Sequence, residues 1–458
     1  MREITRRQFD AFCYARQPLA RLYSQEVLWF EALDKTLLAT IVRDITDGDY
    51  GYVILARDLR RMFRCIDLSN EFYETPAIAK ESLAKHISKY ESNELEISFE
   101  ELESATPSEI LIPVFPEDKL HPYFKVLLQE PRFEAARNLI KEVVYSYIDL
   151  DGHYIEDFQT GGFDARLWEL YLYIYLYSAG FDIFRETKTP DYHVSFFGNE
   201  CFIEAVTVNP SRNAKHAQPD LPDTPEEVAL LINDYLPIKF GSSLYSKLKK
   251  EYWNQEHVSG KPLILAIHDY HMLDSMTWSR SGLYQYLYGV RAFLEGQEGK
   301  NVPRLEQIES HTWGEKVIPS NFFAQEGSEN ISAVLFSNSA TITKFNRMGK
   351  LAGLGSQQVK LIRVGQRYNP DPEAYEPIPF SIDVDSPEYE ESWSESIVMF
   401  HNPRAKYPVS PDWFWDISHI WYDGERGFTE LIQPYDILTS KTIAITPEVA
   451  EPNGEEIS

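Results

Sequence analysis

The chain has 458 residues, 43% of them hydrophobic and 14% aromatic, enough apolar material for large cores and unlike a disordered polymer. A formal net charge of −27 excludes coating nucleic acid through overall charge, so a nucleic-acid role needs a local basic surface or bound divalent ions. No apolar run reaches the roughly 20 residues of a spanning helix, the polar start MREITRRQFDAFCYARQPLA has no apolar signal core, and Cys13, Cys65 and Cys201 form neither a disulfide framework nor a zinc pattern. These features point to a reducing cytoplasm and to no membrane partner.

The length predicts two to four domains. Residues 1–100 read as a small α+β module: LLATIVRDITDGDYGYVILARDLRRMFRCIDL gives two or three strands around an Asp-Gly-Asp turn, and TPAIAKESLAKHISKY has a Thr-Pro helix start. Residues 101–122 are proline-rich and acidic and read as a linker. Residues 123–340 form the expected core. There FDARLWELYLYIYLYSAG is helical, with Asp164 as N-cap and Gly180 as stop. FDIFRET, YHVSFFG, CFIEAVTV, KPLILAIHDY and ISAVLFSNS read as strands, and GSSLYSKLKKEYWNQ as an amphipathic helix beginning near Gly241, with Leu244, Leu248 and Tyr252 on one stripe. The alternation predicts an α/β fold with a mixed sheet flanked by helices. Residues 341–445 read as an irregular region rich in aromatic and acidic residues, and 446–458 as a disordered tail. Charge is uneven. Residues 371–403 hold nine Asp or Glu and no Lys or Arg, whereas 239–261 hold five lysines against two glutamates. An acidic lobe lying over a basic groove fits that asymmetry.

The chemistry concentrates on KTPDYHVSFFGNECFIEAVTVNP, residues 188–210. A hairpin there brings Asp191 and Glu204 together if its strands are neighbours, and two carboxylates at strand ends can share a hard divalent cation. A glutamate inside FIEAV is expensive to bury, so a metal or a cationic partner explains it. Glu169 lies on the preceding helix.

These pieces, in the order ARLWELYL, FDIFRETKTPDYHV and CFIEAVTV, resemble the PD-(D/E)XK nuclease superfamily over roughly residues 135–340. The resemblance implies a restriction-endonuclease-like core and metal-dependent cleavage of DNA, with RNA as a further substrate class. It matches Pro190-Asp191 to the family's Pro-Asp, Glu204 to its acidic residue, and Glu169 to the helix glutamate of many members. It implies Mg²⁺ or Mn²⁺ held by Asp191 and Glu204. The family's lysine falls on Val206. Some members keep that lysine on the following helix, where Lys247, Lys249 and Lys250 stand here. Lys247 or Lys250 is expected to point at the acid pair, Lys249 lying toward the opposite side. The missing lysine also fits a non-catalytic descendant that binds a protein partner or a second copy of itself.

Each residue has an ordinary reading as well. Asp191 fits a turn after proline. Glu204 fits a pair with Arg185 or Arg212, Glu169 an exposed stripe with Arg166 and Tyr173, and the helix lysines a solvated face. HDYHMLD, with His268, Asp269, His271 and Asp274, matches no recognised zinc spacing. Trp413, Trp415 and Trp421 read as core or interface before base-stacking.

Overall fold

Period-two alternation builds the first sheet in the computed structural model, which describes residues 1–99, 107–210, 219–272, 279–297, 300–371, 374, 376–433 and 436–446. Five antiparallel strands, β1 (Arg2–Ile4), β2 (Ser24–Ala32), β3 (Leu37–Asp44), β4 (Tyr50–Arg57) and β5 (Phe63–Leu68), stand side by side in chain order. Helix α1 (Arg6–Phe12) follows β1 under a capping box of Thr5 and Gln8. Helix α2 (Pro76–Glu91), N-capped by Thr75 with Pro76 in its first turn, lays Ala79, Leu83 and Ile87 on the sheet face of Phe30, Leu37 and Ile54. The opposite face, with Leu38, Leu55 and Phe63, joins the main core beside Phe9 and Phe12.

Residues 107–122, expected as a linker, pack against the body. Ile110 is fully buried. The Gln159 amide donates to the carbonyls of Ile110 (3.0 Å) and Ile112 (2.7 Å), and its oxygen accepts from Val114 N at 2.8 Å. Four helices follow: α3 (Pro122–Gln129), α4 (Glu134–Ser146), α5 (Tyr154–Gln159) and α6 (Phe163–Ala179). Gly180 ends α6 in the left-handed conformation at φ 94°, as expected. Its N-cap is Gly162, not Asp164; Asp164 sits inside the first turn, where burial pushes its carboxyl up to about 6.

The central sheet draws on the rest of the chain. Strands β6 (Asp182–Phe184), β7 (Tyr192–Phe196) and β8 (Asn199–Val208) are antiparallel neighbours. Helices α7 (Pro225–Leu230) and α8 (Leu236–Leu248) lead to β9 (Leu263–Asp269), parallel to β8. Helix α9 (Arg280–Tyr288) and two hairpins, β10 (Val290–Gln297) with β11 (Lys300–Gln307) and β12 (Ser310–Trp313) with β13 (Lys316–Pro319), precede β14 (Ala333–Ser337), parallel to β9. After α10 (Ile342–Leu351) come β15 (Lys360–Arg367), β16 (Ile378–Asp383), β17 (Ile397–His401), β18 (Ser418–Asp423), β19 (Gly427–Leu431) and β20 (Ile437–Ile445). The order is β19-β18-β17-β14-β9-β8-β7-β6: an α/β fold on a mixed eight-stranded sheet. The sheet therefore runs past residue 340. The buried run IVMFH pairs with β14, and only β16, β15 and β20 form a separate sheet from the region expected to be irregular. The tail beyond 446, Arg212 and Asp274 lie outside the described residues.

Each face of this sheet has its own apolar layer. Cys201, Ile203, Ile264, Ala266 and Leu335 meet Leu167, Trp168 and Tyr171 of α6 on one side. Phe202, Val206, Leu265, Ile267 and Phe336 meet Phe240, Leu244 and Leu248 of α8 on the other. Helix α8 begins at Leu236 and not near Gly241. Gly241 serves close packing within it: a Cβ there would meet Ile318 at 2.5 Å and the Tyr286 ring at 3.0 Å.

The acidity of residues 371–403 is partly neutralised in the interior. Glu391 is buried between Lys344 (2.8 Å) and Arg347 (2.8 Å) of α10 and Arg363 (3.3 Å) of β15, and Arg363 also holds Glu395 at 2.6 Å. Burial pushes the Glu391 carboxyl up, but Arg347, Lys344 and Arg363 more than offset this and hold it well below the usual carboxylate range. Its contribution to stability is complete above the unfolded carboxylate range, about 4.3, and falls away as pH drops toward the lower folded value. Replacing Glu391 with Gln leaves three buried cations under-compensated; urea unfolding at pH 7 is expected to show a loss of about 3–5 kcal/mol.

Candidate active site

Strand β8 puts Phe202, Glu204 and Val206 on one face by its two-residue period. Glu204 is thus the carboxylate in an apolar row, its side chain 5% exposed. Helix α8 crosses that face. From its last turn Lys247 Nζ reaches Glu204 Oε1 at 2.5 Å. The chain then turns through Glu251 in the left-handed region (φ 48°), and the short 3-10 turn Tyr252–Asn254 sends Tyr252 Oη back to the same oxygen at 2.6 Å. Glu204 Oε2 is buried and makes no hydrogen bond. Burial and the Glu204 charge together push the Tyr252 phenol far above its ordinary range, so the hydroxyl keeps its proton and donates it.

Asp191 arrives from the neighbouring strand. Tyr192 pairs with Ile203, so Asp191, one residue before β7, falls opposite Glu204. Its Oδ2 accepts the backbone N–H of Ala205 at 2.7 Å. The Arg185 guanidinium donates to the carbonyls of Asp191 (2.8 Å) and Ile148 (2.9 Å) and lies over the Tyr147 and Tyr192 rings. Glu169 comes from α6, which Tyr192 Oη ties to β7 through the Glu169 carbonyl at 2.6 Å. The Glu169 carboxylate accepts from Arg166 at 2.9 Å and from Tyr147 Oη at 3.2 Å. A small cavity lined by Glu169, Asp191, Tyr147, Arg166, Arg185 and Lys188 opens toward the surface.

The electrostatics are those of acids withdrawn from water. Burial, then the charges of Glu204 and Glu169, push the Asp191 carboxyl well above its normal range. Glu169 is also raised, by burial that Arg166 only partly offsets. Among the described residues no group of three or more His, Cys, Asp and Glu stands ready to hold a metal. A two-carboxylate set still suits a small divalent cation that keeps water or phosphate oxygens for its remaining positions, and the unpartnered Glu204 Oε2 is an oxygen such an ion can take.

The structure thus brings Asp191, Glu204, Glu169 and Lys247 into one neighbourhood. Lys250 stands apart: it is exposed, in the turn after α8, and Lys249 lies over the Tyr245 ring at 4.6 Å. Val206 is buried in the apolar layer, 2% exposed, so a lysine there would bury its charge and not restore a catalytic group. Glu169 is 8% exposed and not on a solvated stripe. Tyr252 was read as part of an apolar stripe; its phenol oxygen is the contact that pattern concealed. Elsewhere, Asp269 grips His271 Nδ1 at 2.6 Å in a fully buried pair, and Trp421 stacks on His401 inside the sheet.

A carboxyl raised on folding contributes stability that is complete below its unfolded value, about 3.9 for Asp, and that is lost as pH rises through the higher folded value. Asp191→Asn removes that loss and keeps an oxygen for the Ala205 N–H. In metal-free buffer at pH 8 the variant is expected to melt above wild type, the gap closing toward pH 4. No family model matches this chain, and no curated protein or solved structure gives a significant match either.

Proposed function

We propose that this chain is a metal-dependent nuclease of the PD-(D/E)XK type that hydrolyses phosphodiester bonds in DNA, with RNA as the alternative polymer, in a prokaryotic cytoplasm. The observation that carries the reading is the meeting of Lys247 with Glu204 beside Asp191. A cation absent from the strand comes from the next helix to Glu204, as in some members of the superfamily that the chain resembles. Asp191 and Glu204 are the residues that would hold Mg²⁺ or Mn²⁺, and the chemistry that such an ion would supply is Lewis-acid polarisation of a phosphoryl oxygen and activation of water.

The chain's own groups have distinct tasks. The Ala205 N–H fixes the Asp191 carboxylate. Lys247 fixes Glu204, and its half-buried side chain supplies the positive charge that would stabilise charge on a phosphoryl group. Arg166, Arg185 and Lys188 line the cavity beside Asp191 together with Asp149 and Asp151, Lys188 pairing with Asp151 and Arg166 with Asp157. Glu169 orients Arg166 at the inner end of that cavity.

One observation favours a second reading. Both Glu204 and Glu169 already have a cationic partner, Lys247 and Arg166, so the cluster also works as a set of internal ion pairs in a protein that binds a partner and does not cut. Cleavage of plasmid and of single-stranded substrates in Mg²⁺ and in Mn²⁺ separates the two. Wild type is expected to cut. Glu204→Ala is expected to abolish cutting, and Lys247→Met to slow it by about 10²–10³-fold, with circular dichroism confirming that each variant is folded. A wild type inert on every substrate in both metals favours the binding reading.

A further inference from the structure

We infer that Tyr252 is a positioning residue for a divalent cation at the Asp191–Glu204 pair. With Lys247 it holds Glu204 Oε1 so that Oε2 alone is presented to the ion. The inference rests on the nuclease reading and assigns a role to a residue that the resemblance to nucleases does not single out.

The geometry is specific. A carboxylate can rotate about its last torsion and exchange its two oxygens, so one donor on Oε1 fixes little. Here two donors converge on that oxygen, Lys247 Nζ at 2.5 Å and Tyr252 Oη at 2.6 Å. They come from different backbone segments, the last turn of α8 and the 3-10 turn beyond Glu251. Oε2 is left buried and without a hydrogen bond, on the residue that stands opposite Asp191 across the β7–β8 pair. A buried oxygen with no donor is costly unless something else satisfies it, and a cation shared with Asp191 does so. Nothing else in the packing needs the hydroxyl. The Tyr252 ring is 5% exposed in the apolar layer with Leu244 and Leu248, a task phenylalanine performs equally well.

Groups that orient a metal ligand without touching the metal typically change affinity by about 10–100-fold when removed. Titration of the whole chain with Mn²⁺ alone, followed by calorimetry and by the electron paramagnetic resonance signal of free Mn²⁺, tests the role without any substrate. Tyr252→Phe is expected to bind Mn²⁺ at least about tenfold more weakly while remaining folded, its metal-free melting temperature lowered by the loss of one hydrogen bond to the buried carboxylate. Tyr245→Phe, an exposed tyrosine of α8, is the control and is expected to bind like wild type. Equal affinity of Tyr252→Phe and wild type overturns the positioning role and leaves the nuclease reading standing. A wild type that binds no Mn²⁺ overturns both. If Tyr252→Phe unfolds at ordinary temperature, the hydroxyl is structural and the inference fails.

Discussion

Burying a carboxylate on an inner strand of an apolar sheet is costly unless the chain supplies partners, and much of the architecture around β8 serves that need. Glu204 lies between Phe202 and Val206 on a face otherwise closed by Phe240, Leu244 and Leu248. Its partners must therefore come from the helix covering that face. Helix α8 ends where Lys247 can reach it, and the left-handed residue Glu251 returns Tyr252 to the same oxygen. On the neighbouring strand, the register that pairs Tyr192 with Ile203 brings Asp191 opposite Glu204. The α8–β8 packing and the β7–β8 hairpin thus meet at one acid pair.

The chain handles buried acids in two opposite ways. Around Glu391, three cations surround a carboxylate that they hold ionised and low. That arrangement joins α10 to the sheet of β15, β16 and β20, and it leaves no positive charge wanting. Around Asp191, burial raises both Asp191 and Glu169, although Arg166 is paired with Glu169 and Lys247 with Glu204. Buried acids with raised pKa values beside a cavity are candidates for chemistry, which is the basis of the proposal that a cation binds here. The contrast within one molecule is the reason for assigning structure to the first cluster and chemistry to the second.

Much of this was legible in the residues. Short continuous apolar runs located β8, β9 and β14, and the Pro-Asp hairpin followed by an apolar strand drew attention to Asp191 and Glu204. The resemblance to a superfamily some of whose members carry a lysine on the following helix drew attention to α8, and three-residue spacing favoured Lys247 and Lys250. The choice between those two depended on where α8 ends. It ends at Leu248, which puts Lys250 in an exposed turn. Tyr252 looked apolar because its ring is; what a phenol oxygen touches is a tertiary fact. The strands beyond residue 340 were obscured for a different reason. IVMFH is five residues long and follows a strongly acidic stretch, and its partner β14 lies some sixty residues away. Likewise the aliphatic residues around Ile110 were hidden by the prolines and acids beside them, although Gln159 clamps their backbone to the core.

The central claim is that Asp191 and Glu204 form one cation site with Lys247 at its side. Anomalous diffraction from crystals soaked in Mn²⁺ tests it most directly. The account requires a manganese peak bound by Asp191 and by Glu204 Oε2, with Lys247 and Tyr252 still on Oε1. Saturating Mn²⁺ that leaves no peak there, or that binds only elsewhere on the chain, would contradict it.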